Sequence, residues 1–261
     1  MQMVHFIPSS QRRVAMLAAS ADTAPVLVCG ANGTGKSAIA QWIHSNGPRS
    51  TRPMLTASLK SPLLRQIARA KGTTLVIPEI GEWPLSDQKI LLDLLKTKSI
   101  PHPDEPGMRM LINVRIIATA SQQVDSRARG GLFNAELLEK ISVFRIEMPP
   151  LYKRLDEFED IAQGIVSEIT RELHKEHLRS FSNEARNRLL AYDWPGNIRE
   201  LRNVLKIAAI SAKGDRIEST DLPDFGHDRI DFHATRAEFE KALLSEWPTE
   251  RLPSQPPENR A

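Results

Sequence analysis

Gly30-Ala31-Asn32-Gly33-Thr34-Gly35-Lys36-Ser37 is the stretch that decides how this chain folds. It fits the Walker A pattern, glycine, four residues, glycine, lysine and serine or threonine, at every fixed position. Before it runs VLVCG from Val26, apolar and rich in β-branched residues, which reads as a buried strand. After it Ser37 to His44, SAIAQWIH, reads as a helix ending before Asn46-Gly47-Pro48. A strand before and a helix after are the context the pattern needs. An incidental glycine-rich turn would not come with both.

The chemistry calls for these residue types. Glycines let backbone N–H groups converge on phosphate, and the following helix offers its positive end. Lys36 can reach the β- and γ-phosphates, and the Ser37 hydroxyl can ligate Mg²⁺. ATP with Mg²⁺ is therefore the expected ligand of Gly30 to Ser37. Cys29 reads as a small buried strand residue, not a nucleophile.

Outward from the motif, strand and helix signals alternate. A helix is expected after Ser9 and Ser10, either of which could cap it, running to about Ser20. Strands are expected at Met54 to Leu59, from Thr73 (TTLVIPEI), from Val114 (VRIIATA) and at VFRIEM. Helices are expected at Pro62 to Ala70, LSDQKILLDLLK and Leu132 to Lys140. Ile100 to Gly107 holds three prolines and reads as a loop. This alternation predicts an α/β fold, a parallel sheet with flanking helices. After Pro149-Pro150 the pattern becomes helical, with Leu155, Phe158, Ile161, Ala162, Ile165 and Ile169 at helical spacing, then Asn183 to Tyr192 and Ile198 to Ala212. The expected division is an α/β domain over 1–150, an all-α domain over 151–222, and a helical or disordered tail over 223–261, whose end RLPSQPPENRA is polar and proline-rich.

Composition agrees and excludes several classes. The chain has 261 residues, 41% hydrophobic, with 35 Lys+Arg against 32 Asp+Glu and a formal net charge of +3. That small excess, with no basic stripe or aromatic platform, gives no support for DNA binding. One cysteine rules out an internal disulfide framework. No apolar run reaches membrane-spanning length, and the start lacks a signal-peptide stretch, so a cytoplasmic location is expected.

A second specific string, WPGNIREL from Trp194 to Leu201, joins GANGTGKS, TTLVIPEIGEWPL and MPPLYKR in one order. Together they resemble the central AAA+ domain of bacterial sigma-54-dependent transcription activators, over roughly the first 220 residues. The resemblance implies a P-loop AAA+ sheet followed by a helical lid. It implies that Lys36 is the Walker A lysine, that Glu79 polarises the attacking water, and that Arg199 is the sensor II arginine reaching the nucleotide from the lid.

The departures point elsewhere. Pro78 stands where the family has the Walker B aspartate, which would weaken the hold on Mg²⁺. Ser121 takes the place of the sensor I asparagine. FNAELLEKI replaces a segment that supplies arginine fingers, so Asn134 and Lys140 stand where two arginines would be; lysine keeps charge but not the bidentate fork. Arg127, Arg129 and Arg145 lie nearby without an assigned role. MLTASLKSPLLRQIARAKGTT crosses an interval that in the family carries the GAFTGA sigma-contact loop, and its absence argues against remodelling of sigma-54. A helix-turn-helix is not expected, since Trp247-Pro248 interrupts the helical stretch ATRAEFEKALL, and a sensory domain before the AAA+ unit is not expected either.

Weaker signals have plainer readings. His174 and His177 could share a helix face, but a solvated charged helix is favoured over a metal site. Glu82 reads as a surface glutamate. The favoured function is an ATP-binding regulator with weak or absent hydrolysis, acting through self-association or another AAA+ regulator. The alternatives are an active oligomeric ATPase and a nucleic-acid-associated AAA+ regulator.

Overall fold

The apolar runs assemble into one parallel sheet. The computed structural model describes residues 6–224; the tail and its expected helix lie outside those residues. The sheet contains β1 (Val26–Gly30), β2 (Met54–Thr56), β3 (Thr74–Ile77), β6 (Arg115–Ala120) and β7 (Phe144–Met148), in the order β2-β3-β6-β1-β7. β1 lies between β6 and the edge strand β7, with Val26 opposite Ile117 of β6 and Phe144 of β7. Its residues are buried throughout, as expected of a strand covered on both faces.

Alternate side chains go to opposite layers. Val26, Val28, Ile146 and Met148 pack against α1 (Arg12–Ser20) and α2 (Lys36–Ser45) through Ala15, Ala18, Ile39 and Ile43. Leu27, Leu75, Ile77 and Ile116 face the other layer. That layer holds α3 (Leu63–Arg69), α4 (Leu85–Thr97), α5 (Val124–Arg129) and α6 (Ala135–Ile141). Beyond β7 come α7 (Phe158–Glu172), α8 (Asn183–Leu190) and α9 (Asn197–Ser211). Trp194 is fully buried among them, its indole N–H donating to the Leu189 carbonyl at 2.9 Å, with Tyr192 edge-on at 5.1 Å. The fold is α/β with a helical lid region, and among the described residues no helix is long and apolar enough to cross a membrane.

Several local expectations are corrected. Neither Ser9 nor Ser10 caps α1: a 3-10 turn over Ser9–Gln11 precedes it, and the Ser9 N–H donates to Glu157 at 2.7 Å. β2 stops at Thr56, because the Gln66 amide closes a turn by bonding both backbone groups of Ser58. The proline-rich loop is in part a hairpin, with β4 (Ser99–Pro101) antiparallel to β5 (Arg109–Leu111). Pro101 is tolerated there on a short two-stranded ribbon. The later part is not all helical: β8 (Ser180–Phe181) pairs with β9 (Arg216–Ile217). Leu155 lies in a 3-10 turn and is exposed, outside the apolar stripe of α7. His174 and His177 follow the end of α7, so no helix face joins them; Lys175 between them caps α9 by donating to the Ala209, Ile210 and Ala212 carbonyls.

At the amino ends of the strands, away from the motif, Arg115 is fully buried. It donates to the carbonyl of Ala18, in the last turn of α1, where helix carbonyls carry partial negative charge. Burial, reinforced by the neighbouring Arg49, lowers its pKa. Arg49 itself is held by Asp22 at 2.7 Å and by the Thr73 carbonyl at 2.9 Å. Gly47 leaves room for this packing. A Cβ there would lie 2.8 Å from the Ala19 carbonyl oxygen and 2.9 Å from Arg115 Nη1. Gly47→Ala is expected to destabilise the fold by about 1–3 kcal/mol. Urea unfolding should show a lower midpoint with an unchanged slope.

Candidate functional site

The motif turns at the carboxyl end of β1. Gly35 sits in the left-handed region, φ 98°, as the residue that opens α2, so the N–H groups of the first helical turn remain available to an anion. The Thr34 hydroxyl donates to the Ala31 carbonyl at 2.8 Å and shapes the loop. Lys36 is almost completely buried, and its Nζ donates to the Gly30 carbonyl at 2.8 Å and the Ala31 carbonyl at 3.2 Å. Ser37 is exposed, and its hydroxyl makes no hydrogen bond among the described residues. Cys29, just upstream, is fully enclosed; burial pushes its thiol up to about 12, which leaves it unreactive at neutral pH.

Glu79 reaches the same point from β3. Its carboxylate pairs with Lys36 Nζ at 2.9 Å, and its N–H donates to the Thr119 hydroxyl at 3.0 Å. The backbone of Glu79 is left-handed, φ 43°, a conformation that costs a non-glycine residue roughly 1–2 kcal/mol. Pro78, between β3 and this turn, contributes only its carbonyl, which accepts from the Trp83 indole at 2.8 Å. Glu82 is exposed.

The lid arrives at the loop directly. Asn197, φ 56°, opens α9. Its Nδ2 donates to the Asn32 carbonyl at 2.9 Å, and its Oδ1 accepts from the Leu151 N–H at 2.8 Å. The Arg199 N–H donates to the Gly33 carbonyl at 3.1 Å. Gly33, φ +80°, leaves no room for a side chain, because its Cβ would lie 2.1 Å from the Gly196 carbonyl oxygen. The result is a cavity of about 310 Å³. Asn32, Gly33, Gly35, Lys36, Ser37 and Glu79 line one wall; Glu168, Ile198, Arg199 and Arg202 line the lid side, with Phe6 from the first described turn. Arg199 is exposed into it, and its side chain has no partner among the described residues.

The remaining motif positions lie elsewhere. Ser121 follows β6, and its hydroxyl accepts from the Gln123 N–H at 3.4 Å, outside the cavity lining. Asn134 caps α6, accepting from the Leu137 N–H at 2.9 Å, and Lys140 is exposed on the last turn of that helix. Arg145 is held by Asp125 at 2.6 Å and Glu147 at 2.6 Å; the bond from Arg145 keeps the Asp125 carboxyl below its usual range. Arg127 covers Gly81, with Nε buried and unpartnered.

Sequence reading missed Asn197, Thr119, Glu168 and Arg202 as parts of this site. Asn197 stood inside the quoted WPGN string, and Arg202 follows Arg199 by one helical step. Glu168 and Thr119 carry no local signal, since only tertiary packing brings them in.

Among the described residues no cluster of three or more His, Cys, Asp or Glu is placed to hold a metal ion. Mg²⁺ keeps several waters and takes substrate phosphate oxygens, so a single protein ligand is compatible with it. The free Ser37 hydroxyl fits that minimal set, and Pro78 adds no donor to it.

Comparison with known proteins agrees with the architecture. The sequence model described as "Sigma-54 interaction domain" matches residues 7–151, and that described as "AAA+ ATPase lid domain" matches residues 153–238. The chain is 32% identical over 222 residues to the alginate biosynthesis transcriptional regulatory protein AlgB of Pseudomonas syringae pv. tomato, covering 76% of this chain and 49% of AlgB. It is 30% identical over 216 residues to the DNA-binding transcriptional activator HyfR of Escherichia coli, covering 74% of this chain and 32% of HyfR. The chain thus spans half or less of the length of these relatives. In fold it is similar to NtrX from Brucella abortus solved in complex with ATP, with a TM-score of 0.71, 20% identity, and coverage of 95% of this chain and 61% of NtrX.

Asn197 tests how the lid is fastened. Asn197→Gly keeps the left-handed backbone and loses both side-chain arms. Asn197→Asp keeps the acceptor for Leu151 but turns an oxygen toward the Asn32 carbonyl. Each lost arm is worth about 1 kcal/mol. Thermal melting should rank wild type above Asn197→Gly, and Asn197→Gly above Asn197→Asp, because the aspartate buries a charge against a carbonyl.

Proposed function

The chain belongs to the sigma-54 interaction domain family of AAA+ proteins, and on that premise we propose that it is an ATP-binding regulator with weak or absent hydrolysis that acts through protein partners. One observation carries the reading: a complete phosphate loop, with Lys36 buried at its centre, faces a position where proline has removed the carboxylate that helps hold the metal. Gly30 to Ser37 would bind the phosphates, and Arg199 would reach them from α9. Arriving phosphate would draw Lys36 away from Glu79. Mg²⁺ would be held by Ser37 and phosphate oxygens, and when bound it would neutralise charge on the β- and γ-phosphates. The NtrX structures with ATP and with ADP support nucleotide as the ligand class.

The working division is 1–150 for the α/β unit, 151–222 for the lid and 223–261 for the remainder. It is supported by the end of β7 at Met148 and the helices that follow. The output would be self-association or association with another AAA+ regulator. Direct remodelling of sigma-54 is disfavoured, because the connection between β2 and β3, residues 57–73, carries the short α3 as its one helix.

Glu79 keeps a second reading open, an active oligomeric ATPase. The cavity holds a carboxylate that could orient water once Lys36 moves to phosphate. What this reading lacks is an arginine at Asn134 or Lys140, and fingers are worth about 10³–10⁵ in rate.

ATP binding and turnover measured together over a range of protein concentrations test both readings. Lys36→Ala is expected to weaken ATP binding by about 10–100-fold, the worth of bonds to a charged group. Equal affinity in wild type and variant would remove the nucleotide reading. Steady turnover that rises with protein concentration and disappears in Glu79→Gln would replace the regulator with the ATPase.

A further inference from the structure

Among the described residues, Phe6 and Ile198 are the large apolar side chains in the cavity lining. Neither can bond a phosphate. Phe6 belongs to the turn before α1, and that turn is fastened in two ways. On its apolar side, Ile7 is buried in the core that it shares with Ala15, Ile39 and Ile43 of α1 and α2. On its polar side, the backbone is held by two residues of the segment between β7 and α7. The Ser9 N–H donates to Glu157 Oε1 at 2.7 Å, and Arg154 Nη1 donates to the Phe6 carbonyl at 3.2 Å. Arg154 also closes on Glu157 Oε2, from Nε at 2.9 Å and from Nη2 at 2.6 Å.

Glu157 is the hub of this arrangement. One carboxylate oxygen takes the backbone of the turn, and the other takes the arginine that holds the residue lining the cavity. The pair is nearly enclosed, 2% exposed at Arg154 and 16% at Glu157. Burial would raise the Glu157 carboxyl, but the bonds from Ser9 and Arg154 outweigh it and hold it below its usual range, so it is charged at neutral pH. An enclosed ion pair adds little net stability over an apolar substitute, because desolvation offsets the attraction. What this one supplies is direction, since hydrogen bonds to an N–H and a carbonyl of one turn restrict its orientation. The apolar contact of Ile7 has no such directionality. The same segment is joined to α9, through the Leu151 N–H on Asn197. The aromatic wall and the helix that carries Ile198 and Arg199 therefore share one anchor.

We propose that Glu157 is a positioning residue for the nucleoside part of the ligand: through Ser9 and Arg154 it sets Phe6 as an apolar wall for the base, and phosphate binding at Gly30 to Ser37 does not depend on it. The proposal rests on the nucleotide reading above. Chemistry divides the cavity. Lys36 and the N–H groups at the start of α2 suit a polyphosphate, whereas a base needs apolar surface, which the lining provides at Phe6 and Ile198. Loss of the Glu157 carboxylate leaves Ile7 in the core and the phosphate loop untouched. It removes the bond that orients the turn and the partner that aims the Arg154 fork at Phe6.

The test is calorimetric titration of the full chain with ATP and with inorganic tripolyphosphate, alongside melting without ligand. The variants are Glu157→Ala, Ser9→Pro, Phe6→Ala and the double variant of Glu157→Ala and Phe6→Ala. Ser9→Pro takes away the donated N–H and leaves the Glu157–Arg154 pair; Pro8, at ψ 137°, already has the extended backbone that a following proline requires. ATP binding is expected to weaken by about tenfold in each single variant, the scale of a base against an aromatic side chain. Tripolyphosphate affinity should stay within about twofold of wild type, as phosphate bonds are unaltered. The double variant should bind ATP no more weakly than the singles, because Glu157 acts through Phe6. A plain staple between the turn and the lid would cost both ligands alike, and intact tripolyphosphate binding shows that a variant has folded. Equal losses for ATP and tripolyphosphate, unchanged ATP affinity in Glu157→Ala, or additive losses in the double variant would overturn the proposal. If wild type binds ATP, those results remove the positioning role alone; if wild type binds neither ligand, the nucleotide reading falls and takes this proposal with it.

Discussion

Everything at the site depends on the docking of the first turn of α9 onto the phosphate loop. Two hydrogen bonds make it, from Asn197 Nδ2 to the Asn32 carbonyl and from the Arg199 N–H to the Gly33 carbonyl. The second arm of Asn197 holds Leu151, in the segment that leaves β7 for the lid. One side chain thus fixes loop, linker and lid helix together. The contact is close enough that Gly33 must lack a side chain. Because the bonds are short-range and directional, loop and helix are joined without an intermediary. Arg199 and Arg202 have their positions as a consequence, since both ride on that helix.

A second constraint acts on Glu79. Proline at 78 ends the pairing of β3, and the chain then turns through a left-handed glutamate. Strain of this kind persists only where surrounding contacts over-determine it. Here they do: Thr119 takes the N–H and Lys36 takes the carboxylate. The same geometry places the Glu79 carboxylate 2.9 Å from the lysine, beside the Gly30 carbonyl at 2.8 Å. In the fold, Pro78 is followed directly by a carboxylate tied to the loop through Lys36.

The sheet was legible because buried parallel strands read as apolar, β-branched runs, as β1, β3 and β6 do, while the edge strand β7 alternates Phe144, Ile146 and Met148 with Arg145 and Glu147. The loop was legible because phosphate binding restricts residue type at fixed spacing. What escaped was set by tertiary partners. Ser9 and Ser10 look like caps, yet the Ser9 N–H is claimed by Glu157, far along the chain. Ile100 and Pro101 look like loop, yet Met110 and Arg109 pair with them. HKEH looks helical, but α7 has ended before it and Lys175 turns back onto α9. Thr119 and Glu168 are ordinary residues of a strand and a helix until another element is laid against them.

The substituted finger positions are not vacancies. Asn134 serves the fold as the cap of α6, where asparagine is among the best residues and arginine would not serve. Arg145 is neutralised on both sides by Asp125 and Glu147. The face built from α5 and α6 therefore has little uncommitted charge beyond Arg127, Arg129 and the exposed Lys140. The cavity is different. Lys36, Arg199 and Arg202 line it against Glu79 and Glu168, three cations to two anions, a local surplus of one positive charge before any ligand arrives. That surplus comes from the chain's own loop and lid. A polyanion entering this cavity would meet that charge within a single copy of the chain.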